Sequence, residues 1–368
     1  MKLHRVWFGC LALMMGSGGC RLTAPVRVPP NEAKPEPSGA SSCPTGQCDP
    51  DPNGLGIYIA EGQSHCFVFE RTAPLCPEGF VNSPEGVRMR VRSREGRRAV
   101  LEVPVELAGA SGAAPRLHGI HATPTDLFLA VAGPDGDVRK LRGTELAKQT
   151  FTFSLPVTPA DGDPRNARYE MRWTPLGASR FQVHYRQVGM PDWRPQCAAP
   201  EKQRVASLLL PGRHVDGLNA AVQPDASAVT LACETGAIGA CLDWGYPPWD
   251  PASLMDTPER AAVHGACLQA KRAAYFVGLG DARTFTVSGT DFLRRDAHGF
   301  GTRSSDRLEE LEHLEALWSP QGAVCLNPEN RRTALPLPAG LQLPPCGAVR
   351  GWSAPAVMAT GVPHPLKQ

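Results

Sequence analysis

The sequence lacks an apolar run long enough to cross a bilayer as a helix, which needs roughly twenty residues. Its 38 Lys and Arg nearly balance its 36 Asp and Glu, so the net charge of +2 gives no reason to expect a nucleic-acid partner. It also lacks a CxxC pair, an HExxH helix, a Walker loop and a GxSxG elbow. The common signatures of redox, zinc-protease, nucleotide and serine-hydrolase chemistry are therefore missing, and we nominate no catalytic, cofactor-binding or metal-binding residue.

The N-terminus has the pattern of a bacterial lipoprotein signal. Lys2 and Arg5 precede an apolar stretch of about ten residues, and small residues lead to Cys20. We expect a signal peptide over residues 1–19 and a lipid on Cys20 that anchors the chain in the outer membrane or at the cell surface. Ser17 stands where such signals usually carry Leu, so secretion or a periplasmic location is the alternative.

Composition divides the rest of the chain into four parts. Residues 20–52 are rich in Pro, Ser, Gly and Glu and predict a disordered tether after the lipidated cysteine. Residues 53–200 carry short alternating segments, residues 201–350 add helical periodicity, and residues 351–368 form a C-terminal tail. The predicted fold class is α+β, with an antiparallel β-rich N-terminal portion followed by a mixed α/β, disulfide-stapled portion.

Alternation of apolar and polar residues predicts the strands of the β-rich portion. Arg88, Arg90, Arg92 and Arg94 alternate with apolar residues, and Glu95-Gly96 turns the chain into a second run at 99–107, as in a hairpin. Further strands are expected at 127–131, 150–155, 169–173 and 181–185. This spacing suggests an antiparallel sandwich or a barrel-like body. The arginine face is expected to be solvated, with acidic glycans as a less favoured ligand.

Two helices are expected in the second portion. Thr257 as N-cap, Pro258 at the first turn and apolar residues at helical spacing predict one helix that ends before Gly278. The spacing of Leu308, Leu311, Leu314 and Trp318 predicts a second helix from about Asp306 to Trp318.

Ten cysteines remain once Cys10 is removed with the signal and Cys20 is lipidated. In an oxidising compartment, an even number without a CxxC pair favours up to five disulfides over free thiols or zinc ligands. Their pairing cannot be deduced, although Cys43/Cys48, Cys66/Cys76 and Cys233/Cys241 are close enough to form local loops. The candidate disulfide cysteines are Cys43, Cys48, Cys66, Cys76, Cys197, Cys233, Cys241, Cys267, Cys325 and Cys346.

The densest segment of cysteines and aromatic residues runs from Cys233 through Cys241 to Trp244, Tyr246 and Trp249. With the helix that follows and the segment Glu315 to Asn327, it resembles the ADYC-domain family, whose members are exported proteins of myxobacteria and their relatives. The family is named for an Ala-Asp-Tyr-Cys motif in the helix. Here the motif is degenerate and reads Ala273-Ala274-Tyr275-Phe276, without the acid and the cysteine. The resemblance implies an exported protein and carries no known activity.

The residues leave two classes of function open. The first is a non-enzymatic envelope protein with a binding or structural role, in which Trp244, Tyr246 and Trp249 either pack on a disulfide or capture an unidentified glycan or protein ligand. The alternative is a secreted hydrolase acting on envelope polymers, in which His298 or His313 would meet Asp291 or Asp296. No cofactor is expected, and whether the chain is an enzyme stays open, with the non-enzymatic role favoured.

Overall fold

The structure is a computed structural model. It describes residues 75–93, 101–109, 115–157, 163, 165–177, 179–197, 206–216, 219–234, 236–277, 292–302, 307–332, 337, 339–347, 349 and 351–363. The predicted signal peptide, Cys20, the predicted tether and the cysteines Cys43, Cys48 and Cys66 lie outside these residues.

The strands are β1 Leu75–Ser83, β2 Gly86–Ser93, β3 Leu101–Leu107, β4 Arg116–Thr123, β5 Asp126–Ala132, β6 Val138–Leu141, β7 Thr150–Val157, β8 Arg165–Gly177, β9 Arg180–Gln187, β10 Arg194–Pro195, β11 Ser207–Val215, β12 Val222–Cys233, β13 Leu293–Asp296, β14 Leu314–Ser319, β15 Gly322–Leu326 and β16 Met358–Gly361. The α-helices are α1 Gly143–Ala147, α2 Ala237–Asp243 and α3 Pro258–Arg272. Two 3-10 turns lie at Leu308–Glu310 and Pro328–Asn330.

Eight antiparallel strands close into a barrel in the order β9-β11-β12-β1-β2-β3-β7-β8, because β8 also pairs with β9. Period-two patterning produces its inner face: in β3, Val103, Val105 and Leu107 are buried between exposed neighbours. Trp173 occupies the interior, with the ring of Phe80 at 5.1 Å and that of Phe151 at 5.5 Å between centroids. The barrel interior is therefore a packed hydrophobic core.

Two smaller sheets and the helices surround the barrel. The sheet β4-β5-β6 and α1 contribute Ile120, Leu129 and Leu146 to the barrel's hydrophobic cluster. The sheet β13-β16-β14-β15 packs with α2 and α3 around a second cluster. Gly239 allows α2 to lie directly on the end of β12, because any Cβ there would clash with the carbonyl oxygen of Cys233.

The helix predicted after Thr257 is confirmed as α3. The Thr257 side chain accepts a hydrogen bond from the Arg260 backbone N–H at 3.2 Å, and Pro258 opens the first turn. The helix ends at Ala273, which adopts a left-handed conformation with φ of 49°. No helix within the described part of the chain is long and apolar enough to span a membrane.

The expected α+β fold class is wrong. Of the described residues, 49% are in strands and 14% in helices, so the structure is mainly β. The helix expected from Asp306 to Trp318 is instead a short 3-10 turn followed by β14. Both faces of β14 are buried, with Trp318 in one hydrophobic cluster and Leu317 in another, so this strand shows no apolar-polar alternation. Leu308 and Leu311 precede β14 and are buried as well, so the spacing of apolar residues across the whole segment resembles that of a helix.

Candidate functional site

The aromatic segment Trp244 to Trp249 follows α2 and packs mostly inward. Tyr246 and Trp249 are buried in the hydrophobic cluster that also contains Cys241 and Cys267. Trp244 is half-buried. Of the three candidate binding aromatics, Trp244 therefore presents the most surface to solvent.

Three arginines cover rings in and around this segment. The distances from guanidinium carbon to ring centroid are 5.4 Å for Arg213 over Trp249, 4.1 Å for Arg260 over Phe300 and 4.3 Å for Arg294 over Trp244. Asp256 forms an ion pair with the first arginine, and Asp250 lies 3.7 Å from the second. Since these guanidiniums already occupy one face of each ring, the segment presents mixed cationic and aromatic surface rather than bare stacking platforms.

Six of the described cysteines form three disulfides. Cys197 pairs with Cys233, Cys241 with Cys267, and Cys325 with Cys346. The first joins the segment after β10 to the last residue of β12, the second joins α2 to α3, and the third joins β15 to the segment before β16. The prediction of disulfides is confirmed for these six residues, but Cys233 and Cys241 do not form a local loop. Cys76 lies on β1.

A buried polar network lies where α3 meets β14 and β16. The Tyr275 hydroxyl donates to Glu315 at 2.5 Å, and the Thr360 hydroxyl donates to the other oxygen of the same carboxylate at 2.7 Å. Arg332 completes the network, with its Nε atom 3.2 Å from that carboxylate and its guanidinium donating to the Ala270 carbonyl. Burial raises the pKa of Tyr275 well above its ordinary value, and the charge of Glu315 raises it further.

Tyr275 belongs to the degenerate motif, and the local backbone explains how it reaches this network. Ala273 terminates α3 in the left-handed conformation, and the Ala274 N–H then donates to the Gln269 carbonyl as in a Schellman cap. This turn directs Tyr275 onto Trp318, whose ring centroid lies 5.4 Å away. Sequence reasoning did not identify Glu315 or Arg332, although an acid inside the apolar run of β14 was an available signal.

His264 on α3 is fully buried. Its Nδ1 atom lies 2.7 Å from the Tyr246 carbonyl oxygen, and its Nε2 atom has no hydrogen-bond partner among the described residues. Burial lowers the pKa of His264 to about 4, although the hydrogen bond to Tyr246 opposes the shift. The imidazole is therefore neutral at pH 7 and joins the aromatic segment to α3.

The other acid and histidine candidates differ in their surroundings. Asp296 is buried and accepts hydrogen bonds from the backbone N–H groups of His298, Phe300 and Gly301. The side chains of His298 and His313 are exposed, and Asp291 lies outside the described residues. Within the described ranges, no three His, Cys, Asp or Glu side chains are grouped as a metal site would require.

An open cleft, which sequence reasoning missed, lies on the outer face of the barrel beside α2. It is shallow, with a volume of about 20 Å³ that holds roughly one water molecule, and its lining is Glu78, Gly79, Phe80, Arg90, His214, Val215, Ala228, Val229, Thr230 and Ile238. Register shifts in β1 at Pro77/Gly79 and in β11 at Pro211/Arg213 interrupt the regular pairing here. At Gly79, φ is 142° and any Cβ would clash with the Val229 carbonyl oxygen, so the position requires glycine.

Charged groups of both signs border the cleft. Arg90 lies 3.2 Å from Glu102 and 3.4 Å from Asp225. The pKa of Asp225 is lowered, chiefly because the Ser227 hydroxyl donates to it and further because Arg90 and His214 lie nearby. Phe80 and Ile238 also line the cleft, but each is only 1% exposed, so they add little hydrophobic surface for a ligand.

The comparisons with known proteins confirm the resemblance to the ADYC-domain family. The family model described as ADYC domain matches residues 140–332, which is more than half of the 368 residues. The matched range includes the barrel strands from β7 to β12, the aromatic segment, α3 and Arg332. No curated protein and no solved structure shows significant similarity to the chain.

Proposed function

Because the chain belongs to the ADYC domain family, we propose that it is a bacterial envelope lipoprotein of the myxobacterial type with a non-enzymatic binding role. In this proposal Cys20 carries the lipid that holds the protein in the outer membrane or at the cell surface. The observation that carries it is the pairing of six cysteines into three disulfides. Such bonds form and persist in oxidising compartments outside the cytosol.

The anchor is tested by fractionation of a bacterial host that makes the full chain. Wild type is expected in the membrane fraction, and Cys20→Ser is expected in the soluble exported fraction because it has no thiol for the lipid. Cys10→Ser is the matched control, since Cys10 lies in the apolar stretch of the signal. Retention of Cys20→Ser in membranes to the wild-type level would reject the lipid anchor.

A binding role is supported because the buried carboxylates accept hydrogen bonds from groups within the fold. The carboxylate of Glu315 is bound by Tyr275, Thr360 and Arg332, and that of Asp296 by three backbone N–H groups. These groups stabilise the fold. Among the described residues, the cleft beside α2 includes the polar side chains of Arg90 and His214, and the proposal assigns ligand contact to this cleft.

The binding role is tested with purified peptidoglycan as a probe of envelope glycans. We expect the full mature chain to co-sediment with it without releasing soluble fragments, and His214→Ala to weaken co-sedimentation because the imidazole lines the cleft. Arg139→Ala is a control on the exposed strand β6, away from the cleft lining. Fragment release that is lost in His214→Ala would favour the hydrolase and contradict the proposal.

A further inference from the structure

The first described strand, β1, begins at one end of the barrel, and several other strands begin or end there. β1 begins at Leu75, which pairs with Ser93 at the end of β2, while Val91 pairs with Leu101 at the start of β3. β7 runs back to this end, where Val157 pairs with Arg165. The first described residue therefore lies at one defined end of the barrel, which we call the Leu75 end.

Exposed apolar side chains lie at the Leu75 end. Leu101 at the start of β3 is 40% exposed, and Val188 and Met190, directly after β9, are 42% and 57% exposed. The pairing shows that β9 ends at this end of the barrel. Gln187 pairs with Tyr169 near the start of β8, and the Val188 N–H donates to the Arg168 carbonyl. Val188 and Met190 lie close together in sequence, whereas Leu101 lies on β3, which β7 and β8 separate from β9, so this barrel end exposes apolar side chains at two places suited to an apolar or amphipathic partner.

Arginines border these apolar residues. Arg165 and Arg168 at the start of β8 are exposed. Further along the outer face, Arg172 and Arg186 lie 4.3 and 4.6 Å from the ring centroid of Trp193. With exposed Arg194, the arginines here number five, and the nearby acids are exposed Asp163, exposed Asp192, Glu170, which pairs with Arg186, and exposed Glu102, which follows Leu101 and pairs with Arg90.

We propose that the Leu75 end docks against the anionic lipid headgroups of the membrane that carries Cys20. Arginine beside exposed apolar residues is the combination that binds a charged membrane surface, because the cations attract the headgroups while the apolar side chains enter the interface. A lipid on Cys20 would tether the whole protein to one bilayer, which raises the effective concentration of a membrane-binding surface there. The choice of this bilayer as the partner rests on the lipid anchor proposed above.

Docking is separated from anchoring by testing the full mature chain with Cys20→Ser, which carries no lipid, on vesicles. The chain is expected to co-sediment with phosphatidylcholine vesicles that contain phosphatidylglycerol and to bind pure phosphatidylcholine several-fold more weakly. Val188→Glu with Met190→Glu is expected to reduce binding at least tenfold. Leu176→Glu is the matched control, because Leu176 is 50% exposed at the opposite end of β8. Equal losses in the two variants would overturn the proposal.

The charges give a second readout. Arg168→Glu removes one attraction and adds one repulsion, which at roughly five-fold per charge near the surface predicts a loss of about 25-fold. Arg139→Glu on β6 makes the same charge change at an exposed position of another sheet and is expected to have a much smaller effect. About 1 M salt should weaken wild-type binding, since the screening length then falls to about 3 Å.

The two proposals fail in different ways. If wild type carries no lipid but the Cys20→Ser chain still binds anionic vesicles through the Leu75 end, the anchor is wrong and the docking surface stands. If wild type is lipidated but the Cys20→Ser chain binds anionic and neutral vesicles equally, or fails to bind either, the docking proposal is wrong and the anchor stands.

Discussion

Removing the Tyr275 hydroxyl tests the buried network at the family motif. In Tyr275→Phe the Glu315 carboxylate loses a donor at 2.5 Å in a site without solvent exposure. A hydrogen bond to a charged group contributes about 1.5–3 kcal/mol, so we expect the free energy of unfolding to fall by about 2 kcal/mol. The assay is urea unfolding of the full mature chain at pH 7 with its disulfides intact.

The free-energy cost of Tyr275→Phe depends on the charge of Glu315, so a variant with a neutral residue at position 315 provides an internal control. In a Glu315→Gln background the acceptor is neutral, and the cost of Tyr275→Phe should fall to about 1 kcal/mol. Arg332→Met should cost about 3–5 kcal/mol because it leaves the carboxylate buried without its counter-ion, whereas Glu315→Gln with Arg332→Met should cost less than the sum of the single changes. A change below about 0.5 kcal/mol for Tyr275→Phe would refute the assigned network.

The same network predicts the alkaline limit of stability. Burial and Glu315 raise the pKa of Tyr275 in the folded state above its ordinary value of 10.0. The unfolded state therefore releases this proton first, so the stabilisation is complete below pH 10 and is lost as the pH rises above it. In Tyr275→Phe this part of the alkaline loss should disappear, as followed by urea midpoints across the alkaline range.

Three further predictions concern α2 and α3. Because the pKa of His264 is about 4 when folded and 6.5 when unfolded, stability should be full above pH 6.5 and fall by about 3 kcal/mol as the pH drops to 4, and urea unfolding of His264→Gln should lack this slope. Replacing Cys241 and Cys267 together by Ser should cost about 3–4 kcal/mol in urea unfolding, because their sequence separation of 26 closes a long loop. Gly239→Ala should cost about 1–3 kcal/mol through its clash with the last carbonyl of β12, whereas Gly351→Ala, with open space around it, should change the thermal midpoint little.

Local sequence patterns correctly predicted the strands with regular apolar-polar alternation and the helix with a clear N-terminal cap. The hairpin β2-β3 follows from alternating residues and a short connection, and α3 follows from its cap, its proline and its small apolar face. The helix predicted over the segment from Leu308 to Trp318 was wrong, because a strand buried on both faces shows no apolar-polar alternation. The helical spacing of the apolar residues did not decide the structure there, because β14 pairs with β15 and β16.

Long-range pairing explains what the sequence could not predict. Barrel closure depends on β9 pairing with both β8 and β11, and no local pattern specifies such partners. The same holds for the disulfides, whose sequence separations are 36, 26 and 21, and for Tyr275 and Glu315, which are 40 residues apart. The motif drew attention to Tyr275, but its partner could be recognised only once α3 and β14 were packed together.

Intact-mass and thiol-alkylation analysis of the protein from native membranes tests the central claim most directly. The claim is that the protein is an anchored, disulfide-stabilised envelope lipoprotein. We expect a mature chain that begins at acylated Cys20, with the six paired cysteines alkylated only after reduction. A mature chain without lipid, or reactive thiols among those six before reduction, would contradict the account.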